Sequence, residues 1–556
     1  MKALRLALPL LLLIALIAKA QDRKDSGVVF TSRTGLVLAP VVVSDKAGTH
    51  ITGLAKDDFE IQEDGKSKPV AALEEIRTFT GRASRPTPRP GVYTNAMAGD
   101  ASPKRLTIFA LDLVNTPFLD QSFAREQLIK YLANRMNSQE PCALLAIRSS
   151  SVQVLHDFSS DPAVLVAALK KVTGEIPMVR GGSPNELGAG VTEALGPSSA
   201  TFDPSEINGE AQGLMGFING GGPNAQVETV RRAAAITVTL QAFQHVAEAF
   251  AGVPGRKSLI WATASFPFGL DAASGAMLSP QAYREGGLVN APLFGDRRDS
   301  TGALPTFPSI TEVVNDSELT RLQPLYERTL QMLNDANIAV YPVDARGLVV
   351  FFPGADVSRI EGLVSFNESL FEGSRETMAN LAAMTGGHAF YNRNDLDVAF
   401  AKAADDSASY YMLGYYLDPN AKPGWHRLHA KVKRNGIEVR ARSGFFVTPE
   451  AKQVDVQRTD VKLALASPLD WTGVPLAVRW TGVKAVGAKN RVQFEIDLAP
   501  RSNVVDSTKN GLLDLEVVAI AHGDGQPGGP VQPACESQSQ GGGVARGGKH
   551  RRELQQ

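Results

Sequence analysis

The segment LTIFALDLVNT, residues 106–116, ends an apolar run with one carboxylate and, four positions on, one hydroxyl. Asp112 so placed could be the first ligand of a metal site at the end of a buried strand. The same residue also suits a humbler task. An aspartate followed by Asn115 and Thr116 caps a loop, because such short polar side chains bond to nearby backbone. Both readings stand on the sequence alone.

Other chemistry-bearing residues invite the same comparison. His426 and His429 lie three apart in a strand-like run, which puts them on opposite faces and makes them a poor metal pair. His156 and His388 fall near strand ends, but no nucleophile motif accompanies them. GxSxG, HExxH and P-loop signatures are absent from the sequence. DFEIQEDGK carries Asp58, Glu60, Glu63 and Asp64 without the spacing of a calcium loop, so a hairpin turn at Asp64-Gly65 is expected. Arg256 and Lys257 precede an apolar strand and are expected to be its solvated start, since Gly255 follows a helix instead of opening one.

The elements that must position these groups occupy a chain of 556 residues, 43% hydrophobic and 21% charged, with a formal net charge of −1. That is room for several globular domains and no strong field for nucleic acid or an anionic membrane. Residues 1–20 read as a secretory signal peptide: Lys2 and Arg5, an apolar run too short to span a bilayer, then Ala18-Lys19-Ala20. No later stretch is apolar enough to span. The two cysteines, Cys142 in a strand-like run and Cys535 in a Gly/Gln/Ser-rich tail, are expected to be thiols and not a disulfide.

Residues 27–78 read as strands forming half of a β-sandwich, and 79–103, rich in Pro, Ser and Gly, as a linker. From 104 to 408 strands and helices alternate, which predicts a mostly parallel sheet covered on both faces. One helix is expected to start with Asp120 as its N-cap. Insertions at 175–226 and 267–315 interrupt the pattern. Residues 409–448 return to strand periodicity around Asn435-Gly436, a strong hairpin signal. Each β-half alone would leave an apolar face wet, so the two are expected to pair, with the α/β domain inserted between them or flanked by them. A C-terminal β-region at 458–522 and a disordered tail at 523–556 follow.

In order and content these elements resemble a von Willebrand factor type A domain, and more closely the bacterial, Acidobacteria-type VWFA-related domain proteins. The matching stretches are SDKAGTHITGLAKDDFEIQEDGK, IFALDLVNT, GVPGRKSLIWATASFP, IAVYPVDARGL, YYMLGYYLD and HRLHAKVKRNGIEVRARSGFF, together over most of residues 36–447. The resemblance implies a von Willebrand factor A-like, doubly wound, mostly parallel (Rossmann-like) sheet with a ligand-binding and often exported role. It also implies a divalent cation at the carboxyl ends of the strands, held by D-x-S-x-S, a later threonine and a later aspartate. Asp112 matches the first aspartate, Val114 stands where the first serine belongs, and Thr116 matches the second. Thr237 and Thr239 lie near the place of the loop threonine but inside a predicted helix. The later aspartate, expected near Ala264, is missing, and Ser265 offers only a hydroxyl. Asp344, ending the YPVD strand, is placed on the same rim and partly compensates.

The expectation is therefore an exported, adhesion-type binding protein without catalytic residues. It would recognise a protein or cell-surface component through a rim of Asp112, Asn115, Thr116, Ser265 and Asp344. A degenerate metal-ion-dependent adhesion site at Asp112 and Thr116 would hold Mg2+ or Mn2+ weakly. Two other classes remain: a structural envelope or assembly protein using residues 458–556, and a hydrolase with its site in the insertions.

Overall fold

The computed structural model describes residues 36–46, 48–77, 90–95, 106–137, 140–178, 225–253, 255–264, 269–271, 276–278, 316–348, 375–447, 464, 467, 469–486, 489–498 and 550–555. Leu38–Tyr415 and Lys422–Gln556 belong to one compact unit; Leu36, Val37 and Tyr416–Ala421 belong to a second, small one. In the small unit Asp418 closes a turn, accepting from Asn420 N through its carboxylate and from Ala421 N through its carbonyl, both at 2.9 Å.

The main unit is mixed α/β with several sheets. In chain order the first strands are β1 (Leu36–Asp45), β2 (Phe59–Glu63), β3 (Lys66–Lys68), β4 (Ala72–Arg77) and β5 (Val92–Thr94). The α/β segment follows: β6 (Leu106–Asp112), α1 (Phe118–Asn134), β7 (Cys142–Ile147), β8 (Val152–Ser159), α2 (Pro162–Lys170), α3 (Ala225–Phe250), β9 (Lys257–Thr263), the short pair β10 (Gly269–Asp271) and β11 (Ala276–Leu278), α4 (Asp316–Asp335), β12 (Ile338–Asp344), α5 (375–385) and α6 (Leu396–Asp405). Then come β13 (Ser409–Tyr416), β14 (Gly424–Val432), β15 (Ile437–Ala441), β16 (Gly444–Val447), β17 (Leu476–Val486), β18 (Lys489–Leu498) and β19 (His550–Gln555).

The central sheet runs β12-β9-β6-β7-β8. Its first four strands are parallel, and β8 closes the edge antiparallel to β7. Successive side chains of a strand point to opposite faces, and here both faces are apolar. Leu106, Ile108 and Ala110 of β6 join Leu259 and Trp261 of β9 in one core, roofed by Phe243 and Val246 of α3, Leu330 of α4 and Leu381 of α5. Phe109 and Leu111 join Ile260 and Tyr341 in the other, roofed by Leu128 and Leu132 of α1, Leu165 of α2 and Phe400 of α6. Glycines end α5 for a geometric reason: a Cβ on Gly387 would sit 2.0 Å from the Val340 carbonyl oxygen of β12.

The strands on either side of this segment pair with each other. β1 pairs with β15 and β4 with β13 in the sheet β15-β1-β13-β4; β2 pairs with β14 in the sheet β16-β14-β2-β3. Tyr411 of β13 bridges the two sheets. Its ring lies 5.2 Å from that of Phe59, and its hydroxyl donates to Ile51 O at 2.9 Å and accepts from Leu54 N at 3.1 Å. A further sheet, β19-β18-β17-β5, uses a strand from the stretch read as linker and another from the stretch read as an unstructured tail. Backbone pairing against β17 and β18 supplies the order that the composition of those stretches does not.

Three local expectations are corrected. Asp120 is not the N-cap of α1; Pro117 holds that place with φ −55°, and Asp120 sits in the first turn. Asn435-Gly436 does not close a hairpin in one ladder. Only Gly436 takes positive φ, so the twist that a two-residue hairpin needs is absent, and β15 crosses to β1. Arg256 and Lys257 are buried, not solvated. Lys257 Nζ donates to Val253 O at 2.7 Å and Gly255 O at 2.9 Å, and burial pushes its pKa down to about 7. Cys142 is a buried thiol within β7. Among the described residues no helix is long and apolar enough to cross a membrane.

Candidate functional site

β6 is the middle strand of the central sheet, and Asp112 is its last residue. The parallel register puts the ends of β9 and β12 on the same rim: Leu111 lies opposite Ala262, and Thr263 opposite Asp344. Residues here are where ligands gather in open α/β sheets.

The rim's polar atoms are turned inward. Asp112 is 1% exposed. Its Oδ1 accepts from Val114 N and Asn115 N, both at 2.9 Å. Its Oδ2 accepts from Asn115 Nδ2 at 2.9 Å and from the Thr263 hydroxyl at 2.8 Å. Burial pushes the Asp112 carboxyl above the ordinary range, while the Asn115, Thr263 and Val114 bonds pull it back. Asn115 Nδ2 also reaches Thr239 Oγ1 of α3 at 2.9 Å, so a helix residue does join the cluster, through an amide. Thr116 Oγ1 accepts from Ala264 N at 3.1 Å, tying the loop after β6 to the end of β9. Gln121 of α1 donates to Thr116 O at 2.7 Å and Glu175 O at 2.8 Å, drawing in the segment after α2.

Asp344 stands at the end of β12 but faces elsewhere. Its two oxygens accept the Arg346 guanidinium at 2.8 and 2.7 Å, and Arg346 N adds a third bond at 3.0 Å. Both partners are buried. Thus Asp112, Asn115 and Thr116 are together, Asp344 shares the rim without joining them, and Ser265 lies outside the described residues.

These residues do not fit a resident Mg2+ or Mn2+. Such ions need several anionic oxygens. Here one carboxylate meets one hydroxyl group, all four of its bonds are to protein donors, and Val114 presents a methyl-lined side chain buried in the core. Arg346 adds a fixed positive charge to the same rim. The geometry is that of a loop cap which ties the end of β6 to the end of β9 and to α3.

Exposed apolar side chains occur on the segments that follow these strand ends. Phe118 is 54% exposed, Leu119 68%, Ile176 86% and Leu348 47%. Gly174 lies against the Phe118 ring, and Gly347 against that of Phe123. Three described segments end near this rim, at Met178, Ala264 and Leu348.

Sequence reasoning did not find Thr263 as the partner of Asp112, because a single hydroxyl in a strand has no signature. Nor did it find that His426 meets Glu63 and Asp64, since it weighed the histidine and the acids separately. The strand period, which places His426 on the inner face and His429 outside, was the available signal.

No protein-family model matches the chain, and no curated protein matches it. Among solved structures the chain is similar to a point mutant of the PilB minor pilin from Streptococcus sanguinis, at 11% identity and TM-score 0.22, over 55% of this chain and 60% of that one. It is also similar to the three N-terminal domains of the type V pili tip protein Mfa5 from Porphyromonas gingivalis, at 10% identity and TM-score 0.25, over 69% and 67%. A third is the human COPII-coat protein Sec24c, at 9% identity and TM-score 0.21, over 68% and 49%. The chain thus spans less than two thirds of the minor pilin and of the coat protein. At these TM-scores the likenesses carry no argument, and function rests on the chain's own geometry.

Proposed function

We propose that the chain is an exported, non-enzymatic binding protein of adhesion type, built on a divergent type A-like domain. It takes hold of a protein or cell-surface component with the carboxyl end of the β12-β9-β6-β7-β8 sheet. The observation that carries this is the exposed apolar rim of Phe118, Leu119, Ile176 and Leu348, seated on a rigid buried network. Exposed large apolar side chains gathered near one rim favour an interaction surface, and a site on fixed strand ends loses little entropy on binding. The parallel strand order, with helices on both faces and Asp112 ending the middle strand, supports the type A-like reading. The signal-peptide-like pattern read in residues 1–20 favours export. Recognition is cation-independent, since the clamp does not fit a metal.

The test is binding of the purified chain to whole cells and to immobilised cell-surface protein, with and without EDTA. A Phe118→Ser/Leu119→Ser variant is run in parallel and checked for an unchanged melting temperature. Binding that survives EDTA and falls at least tenfold in the variant is expected. Binding that needs a divalent cation, or that ignores the substitutions, rules the proposal out.

A further inference from the structure

His426 and Glu63 are 363 residues apart in sequence, and the β14–β2 ladder brings them into contact. Leu428 stands opposite Glu63, so His426, two residues away on the same face, sits diagonally across from it beside the β2–β3 turn. Asp64 and Gly65 make that turn, both with positive φ, 50° and 78°. Asp64 Oδ1 accepts from Arg427 N at 2.9 Å, while Asp64 N donates to Arg427 O at 2.9 Å. The carboxylate is thereby fixed, with Oδ2 turned to the imidazole.

His426 Nδ1 lies 3.0 Å from Glu63 Oε1 and 3.1 Å from Asp64 Oδ2. Its Nε2 lies 2.7 Å from the Lys422 carbonyl oxygen. A carbonyl only accepts, so Nε2 carries hydrogen. A neutral ring would then aim the bare lone pair of Nδ1 at two carboxylates, three acceptors facing one another. The arrangement calls for a cation at that point: a proton on Nδ1 or a metal ion between the three atoms. Two further observations mark the spot as built. Glu63 is 4% exposed, and its Oε2 makes no hydrogen bond, only an ion pair with Lys68 at 3.4 Å. Tyr415, wholly buried in the facing strand β13, has its hydroxyl beside Glu63 without a hydrogen bond of ordinary geometry.

We propose that Glu63 Oε1, Asp64 Oδ2 and His426 Nδ1 form a binding site for a Zn2+-class dication, with water as the fourth ligand on the Asp64 side. The three ligand atoms lie within 4.8 Å of one another. Two ligands about 2.0–2.1 Å from a tetrahedral ion are about 3.3–3.4 Å apart, close to the spacings around Nδ1. Imidazole with carboxylates suits Zn2+ better than Mg2+ or Ca2+. The Lys422 carbonyl orients the ring as outer partners of metal-bound histidines do. The Asp64 side chain, 42% exposed, leaves an entry path. A metal here pins the β2–β3 hairpin to β14, joining strands from the two ends of the inserted α/β segment. The proposal is independent of the apolar rim.

The experiment is calorimetric titration of the full-length chain with Zn2+, and with Co2+ read by its visible absorption. Asp64→Asn and His426→Gln are the test variants, and His429→Gln, on the opposite face of β14, is the control. Expected are one Zn2+ per chain, the intense bands of four-coordinate Co2+, at least tenfold weaker binding in both test variants and an unchanged control. Asparagine tolerates positive φ, so Asp64→Asn keeps the turn and stays informative if His426→Gln fails to fold. No saturable binding, equal binding by Asp64→Asn, or equal loss in His429→Gln overturns the proposal.

Discussion

Two carboxylates, Asp112 at the carboxyl end of the central sheet and Glu63 at the end of the outer hairpin, are buried almost equally, yet their surroundings differ in kind. Asp112 has a donor for every direction: two backbone amides, one side-chain amide and one hydroxyl. Glu63 faces another acid, a histidine nitrogen and an ammonium group at ion-pair distance. A buried carboxylate supplied with neutral donors is a structural part, because its charge is spread over fixed dipoles and no room is left for a ligand. A buried carboxylate oxygen that faces other acceptors leaves a place where a cation is favoured. The place that resembles a metal motif in sequence is therefore the sealed one, and the place without a motif is the open one.

The largest test of this contrast removes the sealed carboxylate. Asp112→Ala strands four donors, and denaturant unfolding is expected to show a loss of about 4 kcal/mol. A loss below about 1 kcal/mol would mean that the clamp is not what holds the strand ends. Next comes a charge at the opposite end of β9. Lys257 has a folded pKa near 7, lowered by burial from 10.5. Above about pH 7 the unfolded chain binds the extra proton and the folded chain does not, so stability rises with pH through that window. The rise is expected to reach about 2 kcal/mol between pH 7.5 and 9, and Lys257→Met should lack it. A flat wild-type curve would show that the two carbonyl contacts offset the desolvation. Thr263→Val removes one of four donors to Asp112 and is expected to cost about 1 kcal/mol in the same unfolding assay. Smallest is Asp64→Asn, expected to change metal-free stability by less than about 0.5 kcal/mol, since Asn keeps the turn and the Arg427 bond. If it costs as much as Asp112→Ala, the difference between the two carboxylates disappears.

Much of the frame was legible in the chain. Runs such as LTIFALD and SLIWAT are mostly apolar on both alternating sets of positions, as a strand buried on both faces requires, and both faces proved covered. The position of Asp112 at a strand end followed from the same run. What surrounds it did not. Whether a carboxylate is sealed depends on Thr263, 151 residues away, and on an asparagine whose amide faces two ways. Asp344 was readable in part, because Arg346 two residues on is within reach of a fork-like pair. The two turn signals show the limit of local pattern. Asp64-Gly65 adopts positive φ at both residues and closes β2 onto β3. Asn435-Gly436 does so at one only, and the strands part to different sheets. The tertiary pull of β1 on β15 decides that, and nothing within four residues of the turn reports it.

The pairing of β1 with β15, β4 with β13 and β2 with β14 has a consequence in time. A ribosome releases residues 36–77 long before 409–441, so these early strands wait, with open edges, for partners more than 300 residues away. Closing so long a loop is slow, and waiting strands with open edges are prone to pair with other chains. The central sheet, whose strands are all made in between, can form first and shorten the effective distance between the waiting ends. Assembly from the middle outward would make a defect in the α/β core, even one remote from any strand of the outer sheets, show itself as aggregation through those sheets.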